Sequence, residues 1–248
     1  MSPPLSLPED EVHVWYLGTD RDFPPATLVR WEASLDAEER ARWQRFAFPE
    51  ARRQFLISHG FLREVLSSYR DIPPGAWVFK GDRTGKPQVS QPAEARWLSF
   101  NLTHTNGLAA CVLTRERAVG VDAEDIRRRG GTPSELLVRN TLAPAELAEW
   151  EALPDHLRTP AFYDFWTLKE AYLKARGVGL SLPLQEIAFS IRSEPPTVAF
   201  GPGIADSPDS WLLRRIAIPD WHRLAIAVRT WPGVKLAVHF CPWPATHT

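Results

Sequence analysis

Cysteine is scarce in this 248-residue chain, which holds only Cys111 and Cys241. Two thiols cannot build a disulfide framework, and these lack the paired spacing of a zinc site. Cys111 lies within the apolar run Leu108–Leu113 and reads as a small buried residue. An excess of either charge is also missing, since 29 Lys and Arg face 30 Asp and Glu, a formal net charge of −1. That balance gives no basic field for a nucleic-acid partner, and the run Arg127-Arg128-Arg129 is too short to supply one. No apolar stretch approaches the ~20 residues that span a bilayer, so no membrane partner is expected. Met1-Ser2-Pro3-Pro4 shows no basic segment leading into an apolar one, so no signal peptide is read and a cytoplasmic location is expected. The 23 prolines fall mostly between elements and mark no long disordered linker.

What is present is a pair of acidic patches in the middle of the chain. The first, Gly120-Val121-Asp122-Ala123-Glu124, reads as the end of a strand. Alternation puts Asp122 and Glu124 on one face and Val121 and Ala123 on the other. The second, Trp166-Thr167-Leu168-Lys169-Glu170-Ala171-Tyr172-Leu173-Lys174 with Gly177 and Gly179 behind it, reads as a helix. Residues four apart share a helical face, so Glu170 and Lys174 are neighbours. Either patch alone is ordinary, as a solvated strand edge or an exposed helical ion pair. Together, three carboxylates and an ammonium suit a hard divalent cation, Mg²⁺ or Mn²⁺, holding a phosphate ester.

These residues resemble the 4′-phosphopantetheinyl transferases, and within them the larger surfactin-type branch. That family carries G-[VI]-D-x-E followed by W-[ST]-x-K-E-[SA]-x-x-K-x-x-G-x-G, and both patterns stand here in order. Leu180-Ser181-Leu182-Pro183-Leu184 continues the match. Upstream, Gly85-Lys86-Pro87 and Phe100-Asn101-Leu102-Thr103-His104-Thr105 correspond to two further family elements. Two departures stand out. Ala123 replaces a larger aliphatic residue but points away from the acids, and Thr103 and Thr105 replace serines while keeping the hydroxyls.

The resemblance implies an activity, with coenzyme A as co-substrate and an acyl or peptidyl carrier protein as partner. Phosphopantetheine would pass from coenzyme A to a carrier serine, releasing adenosine 3′,5′-bisphosphate. Asp122, Glu124 and Glu170 would hold the metal, Asp122 also lying against the cofactor. Glu170 would take the serine proton, directly or through water, and Lys174 would meet the leaving phosphate. Lys169, about 100° round the helix from Glu170, would steady the cofactor. In the first half, Lys86, Thr103 and His104 would grip coenzyme A, with Arg45 and Arg53 on its 3′-phosphate. Glu146 matches an acid that some relatives place near the metal. The carrier would dock on Ile126, Arg127–Arg129, Leu136 and Leu137. Two rival readings are a Mg²⁺-dependent nuclease or phosphohydrolase, and a carrier-binding module with a decayed site. The second is disfavoured because every key acid and lysine is present.

Strands and helices recur without regular β-α alternation, which argues an α+β class. Strands are expected at Val12–Leu17, Trp77–Lys80, Trp97–Leu102, Leu108–Leu113, Ala118–Asp122, Ile187–Ile191, Trp211–Ile218, Leu224–Thr230 and Val234–Phe240. A capping box of Asp36 with Glu39 opens one helix, and Glu50 to Tyr69 forms a longer one ended by Pro73-Pro74. Further helices are expected at Ser134–Asn140, Pro144–Leu153 and Ala161–Arg176. The family resemblance implies a monomer of two pseudo-symmetric lobes, 1–115 and 116–248, crossing near Thr114–Arg117, with coenzyme A in the cleft.

Overall fold

The computed structural model describes residues 3–127, 132–218 and 221–243. Two compact units divide the chain. One comprises everything through Glu116 plus the segment from Ala237 onward, and the other is Arg117–Leu236. Each combines small, mainly antiparallel sheets with helices, the expected α+β class.

In the first unit β1 (Glu11–Gly18) is followed by helices α1 (Pro25–Ser34), α2 (Ala37–Gln44) and α3 (Pro49–Ser68). The capping box forms as the sequence suggests. Glu39 N donates to Asp36 Oδ1 at 2.9 Å, and Asp36 N to Glu39 Oε2 at 3.1 Å. The buried Arg63 of α3 then donates to Glu39 and to the Trp77 and Pro74 carbonyls, which locks the cap to the long helix. A hairpin of β2 (Val78–Gly81) and β3 (Pro87–Gln91) precedes a second hairpin, β4 (Leu98–Thr105) and β5 (Leu108–Arg115). Phe55, Phe61, Leu62, Val65 and Leu66 recur at helical spacing on α3 and, with Tyr69 at its C-terminal cap, form a core with Leu98, Phe100, Cys111 and Leu113.

The second unit opens with β6 (Val119–Asp125) and continues with α4 (Glu135–Thr141), α5 (Pro144–Glu151) and α6 (Asp155–Arg176). Then come β7 (Ile187–Ser190), β8 (Thr197–Phe200), β9 (Trp211–Ile218) and β10 (His222–Arg229). Its main sheet runs β6-β10-β9, with α6 laid across it. The helix begins earlier than expected, passing through Pro160 from Asp155. Arg158 ties this added segment to α5, its guanidinium donating to the carbonyls of Glu151, the last residue of that helix, and Leu153 just beyond it.

The last strand, β11 (Ala237–Pro242), departs from the expected division at 115/116. It leaves the second unit and pairs parallel with β1, giving the sheet β11-β1-β5-β4. Parallel neighbours need a long crossover, and here the whole second unit serves as one. Among the described residues no helix is long and apolar enough to cross a membrane.

Candidate active site

The geometry of the acidic cluster is set by a glycine. On β6 the alternate positions 120, 122 and 124 face α6, while Val121 and Ala123 are buried on the opposite side. A Cβ on Gly120 would stand 2.0 Å from the carbonyl oxygen of Ala171 and 2.5 Å from the nitrogen of Ala175. Glycine therefore lets the helix backbone rest directly on the strand, with Ala171 and Ala175 as the small residues opposite. Glu170 and Lys174 flank that contact. Gly177 ends the helix in a left-handed conformation, φ 66°, as a C-cap. The far side of α6 is pinned by Tyr172, whose hydroxyl donates to Asp206 Oδ2 at 2.9 Å.

Lys174 Nζ donates to Asp122 Oδ1 at 2.6 Å and to the Val121 carbonyl at 3.2 Å. Asp122 is buried and Glu124 half-buried. Burial pushes the Glu170 carboxyl above its ordinary range, the charges of Asp122 and Glu124 push it further, and Lys174 opposes them. Fully ionised, three carboxylates and one ammonium leave two net negative charges, the complement of one divalent cation. All the acidic donors are hard oxygens, so the set fits Mg²⁺ or Mn²⁺.

Lys169 does not face this cluster, which corrects the expectation that it steadies the cofactor. Its side chain is fully buried and paired with the equally buried Glu146 at 2.8 Å. It also donates to the carbonyls of Leu184 and Ile187. Glu146 in turn accepts from Ala143 N at 2.7 Å and Phe189 N at 2.8 Å. Glu146 is thus a structural acid that ties α5, α6 and β7 together, not a metal ligand beside Asp122.

The expected cofactor residues of the first unit are spread over several elements. His104 and Thr103 are consecutive on β4, so their side chains leave opposite faces of the sheet. His104 is exposed and Thr103 buried, and one phosphate cannot lie against both side chains on the same face. Lys86 follows the β2–β3 turn, where Gly85 takes φ 86° and Asp82 accepts from Thr84 N and Lys86 N. Burial lowers the Lys86 ammonium to about 8, with Asp82 opposing the shift. Arg53 donates to the carbonyls of Thr19 and Arg21, each at 3.0 Å, and so braces the loop after β1. Arg45 is exposed at the end of α2, its Nε on the Ala41 carbonyl at 3.2 Å.

On the expected carrier surface, Leu136 is exposed and Arg127 stacks over the half-exposed Trp221 at 5.0 Å while pairing with Asp125. Arg128 and Arg129 lie outside the described residues. Trp221 lies beside the end of β6 because β10 pairs with that strand, and its carbonyl accepts from Ile126 N at 2.9 Å, a proximity that no local sequence pattern shows.

Residues 118–228 match the 4′-phosphopantetheinyl transferase superfamily, and residues 25–115 match the family described as 4′-phosphopantetheinyl transferase, N-terminal. The chain is 35% identical to the 4′-phosphopantetheinyl transferase HetI of Nostoc sp. over 227 residues, 91% of each protein. It is 34% identical to a phosphopantetheinyl transferase of Thraustochytrium sp., covering 75% of this chain and 68% of that one. To the 4′-phosphopantetheinyl transferase Sfp of Bacillus subtilis it is 26% identical over 70% of this chain and 73% of that one. The chain belongs to the 4′-phosphopantetheinyl transferase superfamily.

The glycine contact yields a direct expectation. Gly120→Ala places a methyl group against backbone atoms that cannot swing aside, so α6 must shift. A cost of about 1–3 kcal/mol is expected from such overpacking, with activity falling further because Glu170 and Lys174 move with the helix. Urea unfolding alongside a transfer assay checks this, and wild-type values in both would refute the contact's role.

Proposed function

We propose that this protein transfers the 4′-phosphopantetheine group of coenzyme A to a serine of an apo acyl or peptidyl carrier protein, acting as a monomer. Family membership supports the reaction class. The observation that carries the assignment of residues is the 2.6 Å contact of Lys174 with Asp122, one helical turn beyond Glu170 on the helix that rests on Gly120.

The serine Oγ attacks the phosphorus that bears pantetheine, and the pyrophosphate P–O bond breaks toward adenosine 3′,5′-bisphosphate. Asp122, Glu124 and Glu170 would hold Mg²⁺, which when bound neutralises charge on the pyrophosphate. Glu170 accepts the serine proton. A carboxylate within reach of the serine hydroxyl, directly or through one water, can act as that general base. Lys174, held by Asp122, presents positive charge to the departing phosphate. Lys86 and His104 bind the anionic end of coenzyme A. Leu136, Trp221 and Arg127 offer an apolar and basic surface to an acidic carrier. Incubation with coenzyme A, Mg²⁺ and an apo carrier, followed by intact mass measurement, should show the gain of one phosphopantetheine. An unchanged carrier would overturn the reading.

The Lys86 assignment predicts a pH dependence. Above about 8 its ammonium loses its proton and its attraction for phosphate, so coenzyme A affinity should weaken as pH rises through that value. Lys86→Arg keeps the charge at all accessible pH and should flatten this part of the profile. Calorimetric titration from pH 7 to 9 would show it, and equal slopes in both proteins would remove Lys86 from the site.

A further inference from the structure

We propose that Glu11, His13 and His239 form a second metal site, for a borderline transition-metal dication such as Zn²⁺, that clamps the returning strand β11 onto β1. It is independent of the Asp122, Glu124 and Glu170 cluster.

The parallel register sets His13 directly opposite His239, and Glu11 lies two residues before His13 on the same face of β1. Among the described residues, this is the group of three potential ligands whose ligand atoms all lie within 4.8 Å of one another. His13 Nε2 is 2.8 Å from Glu11 Oε2, His239 Nε2 is 3.6 Å from the same oxygen, and the rings meet edge to face at 5.3 Å. Ligands around a tetrahedral zinc at about 2.0–2.1 Å stand about 3.3 Å apart, a spacing these two distances bracket. Two imidazoles and one carboxylate favour Zn²⁺, Co²⁺, Ni²⁺ or Cu²⁺ over Mg²⁺, which prefers oxygen.

The inner ligand is already oriented. His13 Nδ1 hydrogen-bonds the buried Tyr69 hydroxyl at 2.5 Å, and that oxygen accepts from Trp15 Nε1 at 2.8 Å. A ligating histidine commonly has its second nitrogen held this way. His13 is largely buried while the His239 side chain is 49% exposed on the edge strand. The site therefore opens to solvent on one side, where a metal can enter and a water can complete the shell. Joining strands from opposite ends of the chain, a bound ion would stabilise the closed sheet by mass action.

The test titrates Co²⁺ and Zn²⁺ into the protein under excess Mg²⁺, reading Co²⁺ absorption and calorimetric stoichiometry. One ion per chain is expected, retained in Asp122→Ala. In His239→Ala, an exposed change that leaves the core intact, affinity should fall at least ~10-fold with transferase activity unchanged. Tyr69→Phe should cost about 10–100-fold in affinity by loosening His13. No uptake by the wild type, uptake unaffected by His239→Ala, or loss of uptake in Asp122→Ala would each overturn the proposal. The first of these would leave Glu11 and His13 as a hydrogen-bonded pair only.

Discussion

Replacing Asp122 by alanine should stop phosphopantetheine transfer while leaving a folded protein. Asp122 meets Lys174 at 2.6 Å and faces the same side of β6 as Glu124. Its removal takes away one proposed metal ligand and the carboxylate that holds Lys174, the proposed partner of the leaving phosphate. Electrostatic stabilisation of a phosphoryl transfer by metal and ammonium is worth several kcal/mol, so turnover should drop by about 10³-fold or more. The fold should survive because α6 is also held by Asp206 through Tyr172 and Arg176, and by Asp164 on Arg215. Chelation of the wild type should arrest turnover too, with Mg²⁺ or Mn²⁺ restoring it. Intact-mass turnover and circular dichroism of the variant provide the check. Normal turnover at saturating Mg²⁺ would remove Asp122 from the site.

The acidic cluster could be read from the chain because both of its halves obey local periodicity. Strand alternation separated Asp122 and Glu124 from Ala123, and the four-residue helical repeat joined Glu170 to Lys174. What brings the halves together is a backbone contact at Gly120, which leaves no periodic trace. Periodicity also misled. Ending a strand at Leu102 hid the alternation that sends Thr103 and His104 to opposite faces of β4. Helix α1 and strands β3 and β8 went unseen, the strands being five and four residues long. The return of β11 to β1, and with it the Glu11, His13 and His239 group, depends on pairing across the whole second unit. No local pattern announces that.

Lys169 carries the strongest expected effect on stability, and it separates a structural role from cofactor binding. Lys169 and Glu146 are both fully buried and 2.8 Å apart. Burial lowers the lysine and raises the glutamate from their ordinary values. Removing one partner from a buried pair leaves an uncompensated charge and costs about 3–5 kcal/mol. Glu146→Ala should reach that range, since the Ala143 and Phe189 N–H groups also lose their acceptor. The sign with pH differs between the two single variants. In Glu146→Ala the lone Lys169 has a folded pKa below its unfolded one, so the unfolded chain binds more protons and stability rises with pH. In Lys169→Met the lone Glu146 has a raised folded pKa, so the native state binds more protons and stability falls as pH rises. Urea unfolding across pH should show these opposed slopes, while coenzyme A affinity, measured where each variant is folded, should stay at the wild-type value. Parallel slopes, or a loss of affinity without a loss of stability, would return Lys169 to the cofactor.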